Sequence, residues 1–208
     1  MSSDTEAGEP RIPKRARGKE RVAKLLQAAT AVFAEKGYEA ATMTEIAARA
    51  GAPIGSLYQF FPVKAALADT LVQGYVALLA ADLQLLESRA GGIDTQTLVE
   101  SLLGLLRAHP QERAAAQPLA EARMSEQDRR TTFRQMLRRQ IAAILRARAP
   151  ALGAEEAREM AIVIVQLMKA SSTLSDEAGL PGRTAGLREL RALAVQYLDQ
   201  RLPTRAAR

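Results

Sequence analysis

Residues 42–67 read TMTEIAARAGAPIGSLYQFFPVKAAL, and this stretch decides the fold. Thr42 followed by Glu45 forms a capping box: the hydroxyl accepts a backbone N–H and the carboxylate reaches back to the cap. Met43, Ile46, Ala47 and Ala50 then share one helical face. Gly51 stands where the chain must turn, since glycine reaches positive φ without steric cost. Pro53, with fixed φ and no N–H, suits a first helical position. Leu57, Phe60 and Phe61 face a core, leaving Ile54, Gly55, Ser56, Tyr58 and Gln59 outward. Pro62 ends this helix, and Lys64 lies in the first turn of the next. Two short helices joined by a tight turn are the shape that places one helix in the major groove of DNA.

Lys64 carries a second signal. The macrodipole disfavours a cation at a helix N-terminus, so a phosphate between that end and the ammonium is the expected partner. The outward Tyr58 likewise asks for a partner other than water.

The pattern Gly-Ser-Leu-Tyr-x-x-Phe-x-x-Lys at Gly55, Ser56, Leu57, Tyr58, Phe61 and Lys64, with the preceding TMTEIAARA, resembles the helix-turn-helix of the TetR/AcrR family of bacterial transcriptional regulators. The resemblance covers roughly residues 20–80. It implies an all-α homodimer of about nine helices, with an N-terminal DNA-binding domain and a C-terminal domain for ligand and dimerisation. Carried over by position, Thr42 and Thr44 meet phosphate or a base edge, and Ser56, Tyr58 and Lys64 hold phosphates. Ile54, Gly55 and Gln59 approach base edges. Pro53 departs from the family, which often has Ser there. Proline cannot donate to phosphate, so Pro53 or Ile54 instead touches a thymine methyl.

Composition agrees. The chain has 208 residues and a formal net charge of +6, and its pI is near 10.0. Helix formers dominate, and no alternating β-branched run bounded by turn residues signals a strand. Arg11, Lys14, Arg15, Arg17, Lys19, Arg21, Lys24, Lys36, Arg49 and Lys64 face only Glu20, Glu35, Glu39 and Glu45 over that interval. The basic excess therefore abuts the motif, as a phosphate-binding footprint should. Residues 1–17 are expected as a disordered basic arm, with Arg17 and Lys19 reaching the backbone or a minor groove.

Cysteine is absent and His109 is the only histidine. That excludes disulfides, a thiolate nucleophile and an ordinary zinc site. No Gly-rich phosphate loop or serine elbow suggests an enzyme, and no cofactor is expected. The N-terminus lacks an apolar signal core and no apolar run approaches the ~20 residues of a membrane span, so a cytoplasmic protein is expected.

Helices are expected over about Lys19–Lys36, ended by Gly37; from Pro62 past Leu86, stopped by Gly91 and Gly92; and over Thr95–Ala108. A helix broken at Pro118 follows, then one from a Ser125/Asp128 cap to Arg148, then Ala154–Ala178 and Thr184–Arg201. The domains are expected at 18–66, with the motif at about 42–61, and 67–208. The long helix from Pro62 is stiff enough to act as a lever between them. MAIVIVQLMKASSTL in the penultimate helix is apolar on more than one face and must be covered all round. A four-helix dimer interface is therefore expected from the last two helices, through Val165, Met168, Leu187, Leu190, Ala194, Tyr197 and Leu198. A largely apolar effector is expected among Leu102, Leu106, Phe133, Met136, Leu137, Ile141, Val163, Gln166, Leu167, Ala170 and Thr173. The leading expectation is a repressor released by ligand from a palindromic operator. The rival is an activator or architectural protein of the same fold without a ligand.

Overall fold

The computed structural model describes residues 16–123 and 126–203. Among them are nine α-helices and no strand. They are α1 (Ala16–Ala40), α2 (Met43–Arg49), α3 (Ile54–Phe60), α4 (Lys64–Arg89), α5 (Thr95–Gly104), α6 (Pro110–Arg123), α7 (Glu126–Arg148), α8 (Ala154–Asp176) and α9 (Arg183–Arg201). Residues 1–15 of the expected arm and the Ser125 cap lie outside the described residues.

The chain divides into two compact units. One runs to Val76 and takes in His109–Glu126; the other comprises Ala77–Ala108 and residues from Gln127 onward. This is not the single boundary after residue 66 that sequence suggested. α6 packs along α1, and its Ala115 and Leu119 join the core formed by Leu25, Ala29, Val32, Phe33, Ile46, Leu57, Phe61 and Leu67. Ala28 and Ala29 on α1 and Ala115 and Ala116 on α6 are all buried; side chains this small allow two helices to approach closely. That burial also explains why α6 runs unbroken through Pro118, where an interruption was expected. Proline removes one donor and strains the preceding turn, but the apolar face of the helix continues past it.

α1 is regular as far as Gly37, which adopts φ 74, ψ 177, the sequence-expected end of the brace. α4, about 39 Å long at 1.5 Å per residue, belongs to both units. Ala66, Leu67 and Ala68 are buried at its start, and Leu79, Leu83 and Leu86 toward its end. Contrary to the sequence expectation, Lys64–Gly92 is long and apolar enough to cross a bilayer by length and composition, with a mean hydropathy of 1.3. Of that apolar window, 28% is buried inside the structure. In the second unit α5, α8 and α9 pack on one another. Asp94, which no sequence pattern singled out, caps α5 by accepting from Thr97 N–H at 2.7 Å. This bond holds its carboxyl below the ordinary range.

Candidate functional site

The turn between α2 and α3 is built by backbone hydrogen bonds that only a left-handed residue allows. Ala52 N–H donates to the Ala47 carbonyl at 3.0 Å and Gly51 N–H to that of Ala48 at 3.1 Å. With Gly51 at φ 62, this is the paired closure of a Schellman motif. At the other end of α2, Thr42 accepts from Glu45 N–H at 3.2 Å. The reciprocal half of the expected capping box is missing, because the Glu45 carboxylate pairs with Lys36 at 2.5 Å. A second bridge from α1 to α2 joins both Arg49 Nη atoms to Glu35, at 2.5 and 2.6 Å. α2 is thereby tied to α1 by two ion pairs, one from its first turn and one from its last.

α3 offers a narrow outward arc. Ile54 is 40% exposed and Tyr58 48%, with Gly55 and Gln59 also exposed, while Leu57 is fully buried. Thr42, Thr44 and Pro53 are exposed as well. Arg17 and Lys19 are exposed on the first turns of α1, so they extend from a helix and not from a loose arm.

Two expected phosphate ligands are placed otherwise. Ser56 falls on the inner arc of α3 with Leu57 and Phe60, and its Oγ is buried without a hydrogen-bond partner; a one-residue step around a helix is enough to turn it inward. Lys64 Nζ donates to the carbonyls of Tyr38 at 2.7 Å, Glu39 at 3.2 Å and Ala41 at 3.1 Å. It also lies 4.5 Å from the Tyr38 ring centroid. An ammonium has three donors, and these carbonyls take all of them. The cation at the start of α4 is thus explained by the chain itself. Lys24, Lys36 and Arg49 pair with Glu20, Glu45 and Glu35 at the solvent-exposed surface.

The Glu35–Arg49 bridge has a pH signature. Hydrogen bonding from Arg49 holds the Glu35 carboxyl below its ordinary 4.5, and Glu35 raises Arg49 in turn. A depressed carboxyl contributes stability above its ordinary value and loses it as pH falls through the folded value. Glu35→Gln is therefore expected to flatten slightly the fall of melting temperature below pH 4.5 and to lower the melting temperature at neutral pH by a comparably small amount, because both groups are exposed. Superimposable acid limbs for the two proteins would show that the bridge does not form in solution.

In the second unit the expected pocket separates into two groups. Leu102, Leu137 and Ile141 are buried, and Leu106, Phe133, Met136 and Leu167 half-buried. Val163, Gln166, Ala170 and Thr173 lie on the exposed face of α8 and do not line an interior with them. The expected dimer residues are reversed in the same way. Val165, Met168, Ala194 and Leu198 are buried inside the unit, and Leu187, Leu190 and Tyr197 half-buried. An open groove of about 530 Å³ runs instead along α9, lined by Gln96, Arg188, Arg191, Val195 and Asp199 among others. None of the expected pocket residues lines it.

Known proteins resemble the chain over both its motif and its C-terminal helices. Residues 25–71 match the bacterial regulatory proteins of the tetR family, and residues 94–198 the tetracyclin repressor-like C-terminal domain. The HTH-type transcriptional repressor KstR2 of Rhodococcus jostii is 35% identical over 79 residues, 38% of each chain. Its Mycobacterium tuberculosis counterpart is 44% identical over 57 residues, 27% of this chain and 28% of that one. The chain thus aligns with well under half the length of these relatives. A structure described as the molecular basis for control of antibiotic production by bacterial hormones has a TM-score of 0.60 and 26% identity, covering 85% of this chain and 97% of that one. The multidrug binding protein EbrR in complex with imidazole has a TM-score of 0.57 at 18% identity, covering 90% and 97%. With its motif and most of its C-terminal helices matched, the chain belongs to the TetR family of bacterial transcriptional regulators.

Proposed function

We propose that the protein is a homodimeric cytoplasmic repressor that holds a palindromic DNA operator and releases it on binding a small, largely apolar molecule. The observation that carries this reading is the outward arc of α3, where Ile54, Gly55, Tyr58 and Gln59 stand clear of a rigidly closed turn. Thr42, Thr44, Arg17 and Lys19 flank it as phosphate contacts. One such helix reads only a few base pairs, and a pair needs half-sites about 34 Å apart or a multiple of that spacing. KstR2 is named as a repressor, which supports repression over activation.

The effector site of this reading is formed by Leu102, Leu106, Phe133, Met136, Leu137 and Ile141. Ligand binds better to a conformation in which the recognition helices no longer match the operator, and DNA weakens ligand binding by the same factor. Moving most of the population requires about 5 kcal/mol of differential affinity. The test is titration of the protein against the DNA flanking its own gene at several salt concentrations. Protection of a palindrome, with affinity falling steeply as salt rises, is the expected result. Binding no tighter than to random DNA at every salt concentration would contradict the reading for that site. Gln59→Ala is expected to cost about 1–3 kcal/mol and to relax preference at one base position per half-site. An unchanged footprint and base preference would remove Gln59 from the base-reading set.

A further inference from the structure

We infer that Lys64 is a positioning residue and not a phosphate ligand: its ammonium fixes the 38–41 connection and, through it, the orientation of α2 and α3. This rests on the DNA-binding reading above. The helical geometry of α1 is interrupted at Gly37 and resumes for a last short turn to Ala40, and α2 begins at Met43. Between Gly37 and Met43 the carbonyls of Tyr38, Glu39 and Ala41 converge on one point, and Lys64 Nζ occupies it. The Tyr38 ring is held over the same ammonium and stacks on Phe33 at 6.0 Å. Phe33 belongs to the buried core. A single side chain thus ties the first turn of α4 to the segment that delivers α2, just upstream of Thr42 and Thr44. Without it three carbonyls of like partial charge would face one another, and the connection would relax.

The two roles make opposite predictions for a conservative change. A phosphate accepts an arginine as well as a lysine, often better. Three carbonyls around one nitrogen do not, because no arginine nitrogen carries more than two N–H groups. The experiment compares wild type, Lys64→Arg and Lys64→Met on an operator fragment and on random duplex, across a salt series. It is read together with amide exchange over residues 38–47.

The positioning role predicts that both variants lose at least 10-fold in operator affinity. Their salt slopes and random-duplex binding stay at wild-type values, and exchange over 38–47 speeds up. A Lys64→Arg protein that binds the operator as wild type does, with Lys64→Met lowering the salt slope by about 0.9 for each phosphate no longer neutralised, would overturn the inference. Equal loss on both DNAs would overturn it too, because Lys64 would then serve only to hold the fold. Should wild type itself fail to discriminate operator from random duplex, the DNA reading fails. Exchange over 38–47 still judges the pin: unchanged protection in both variants rules it out.

Discussion

Phe33→Ala is expected to remove about 3–5 kcal/mol from the stability of the DNA-binding unit. Phe33 is 1% exposed and among the largest fully buried side chains. It belongs to a core that draws on α1, α2, α3, α4 and α6 together. Truncation to alanine removes the transfer energy of a phenyl ring and leaves a void that neighbours on five helices cannot all close. It also withdraws the stacking partner of Tyr38, and Tyr38 in turn covers the Lys64 ammonium. Whole domains are stable by only about 5–15 kcal/mol, so the loss is a large share of the total. Urea unfolding read by circular dichroism measures it, with amide exchange across α1–α3 reporting where the loss falls. Phe33→Leu, which refills part of the volume, should cost clearly less than the alanine variant. A Phe33→Ala protein within about 1 kcal/mol of wild type would mean that the cluster is not the cooperative core of this unit.

The motif was legible in sequence because its parts are local. Thr42 caps α2, Gly51 turns the chain, Pro62 ends α3 and Gly37 ends the regular part of α1, and each acts within a few residues of its own position. The interior and solvent faces of α3 were legible except at Ser56, where the periodicity places the residue at the margin of the outward arc. The carbonyl contacts of Lys64 were not legible, because its partners are main-chain groups more than twenty residues away, which no side-chain pattern records. The packing of α6 on α1 was not legible, because its small alanines carry no signal of which helix they meet. On α8 the buried residues Ala157, Met160, Ala161, Ile164, Val165 and Met168 keep regular helical spacing, but the apolar Ile162, Val163 and Leu167 between them masked that face in the sequence.

That buried face decides the second large effect. Ala157, Met160, Ala161, Ile164, Val165, Met168, Ser171 and Ser172 form the buried face of α8. Ile162, Val163, Gln166, Ala170 and Thr173 form the opposite, exposed one. Ile162 remains 45% exposed and Val163 38%, adjacent apolar side chains with polar neighbours on the same helical face. Under the dimer reading this is the surface that meets a second copy, where a two-fold axis would bring the same face against itself. Ile162→Glu with Val163→Glu would then set like charges across that axis. The double variant is expected to sediment as a monomer while keeping its helical content, because both positions face outward in the single chain. Losing the tether between half-sites should lower operator affinity by about 10²–10⁴-fold without touching any residue near DNA. Met168→Ala is the control: fully buried in its own unit, it should cost about 2–5 kcal/mol of stability and remain dimeric where folded. A double variant that stays dimeric and binds the operator at wild-type strength would place the interface elsewhere on the molecule.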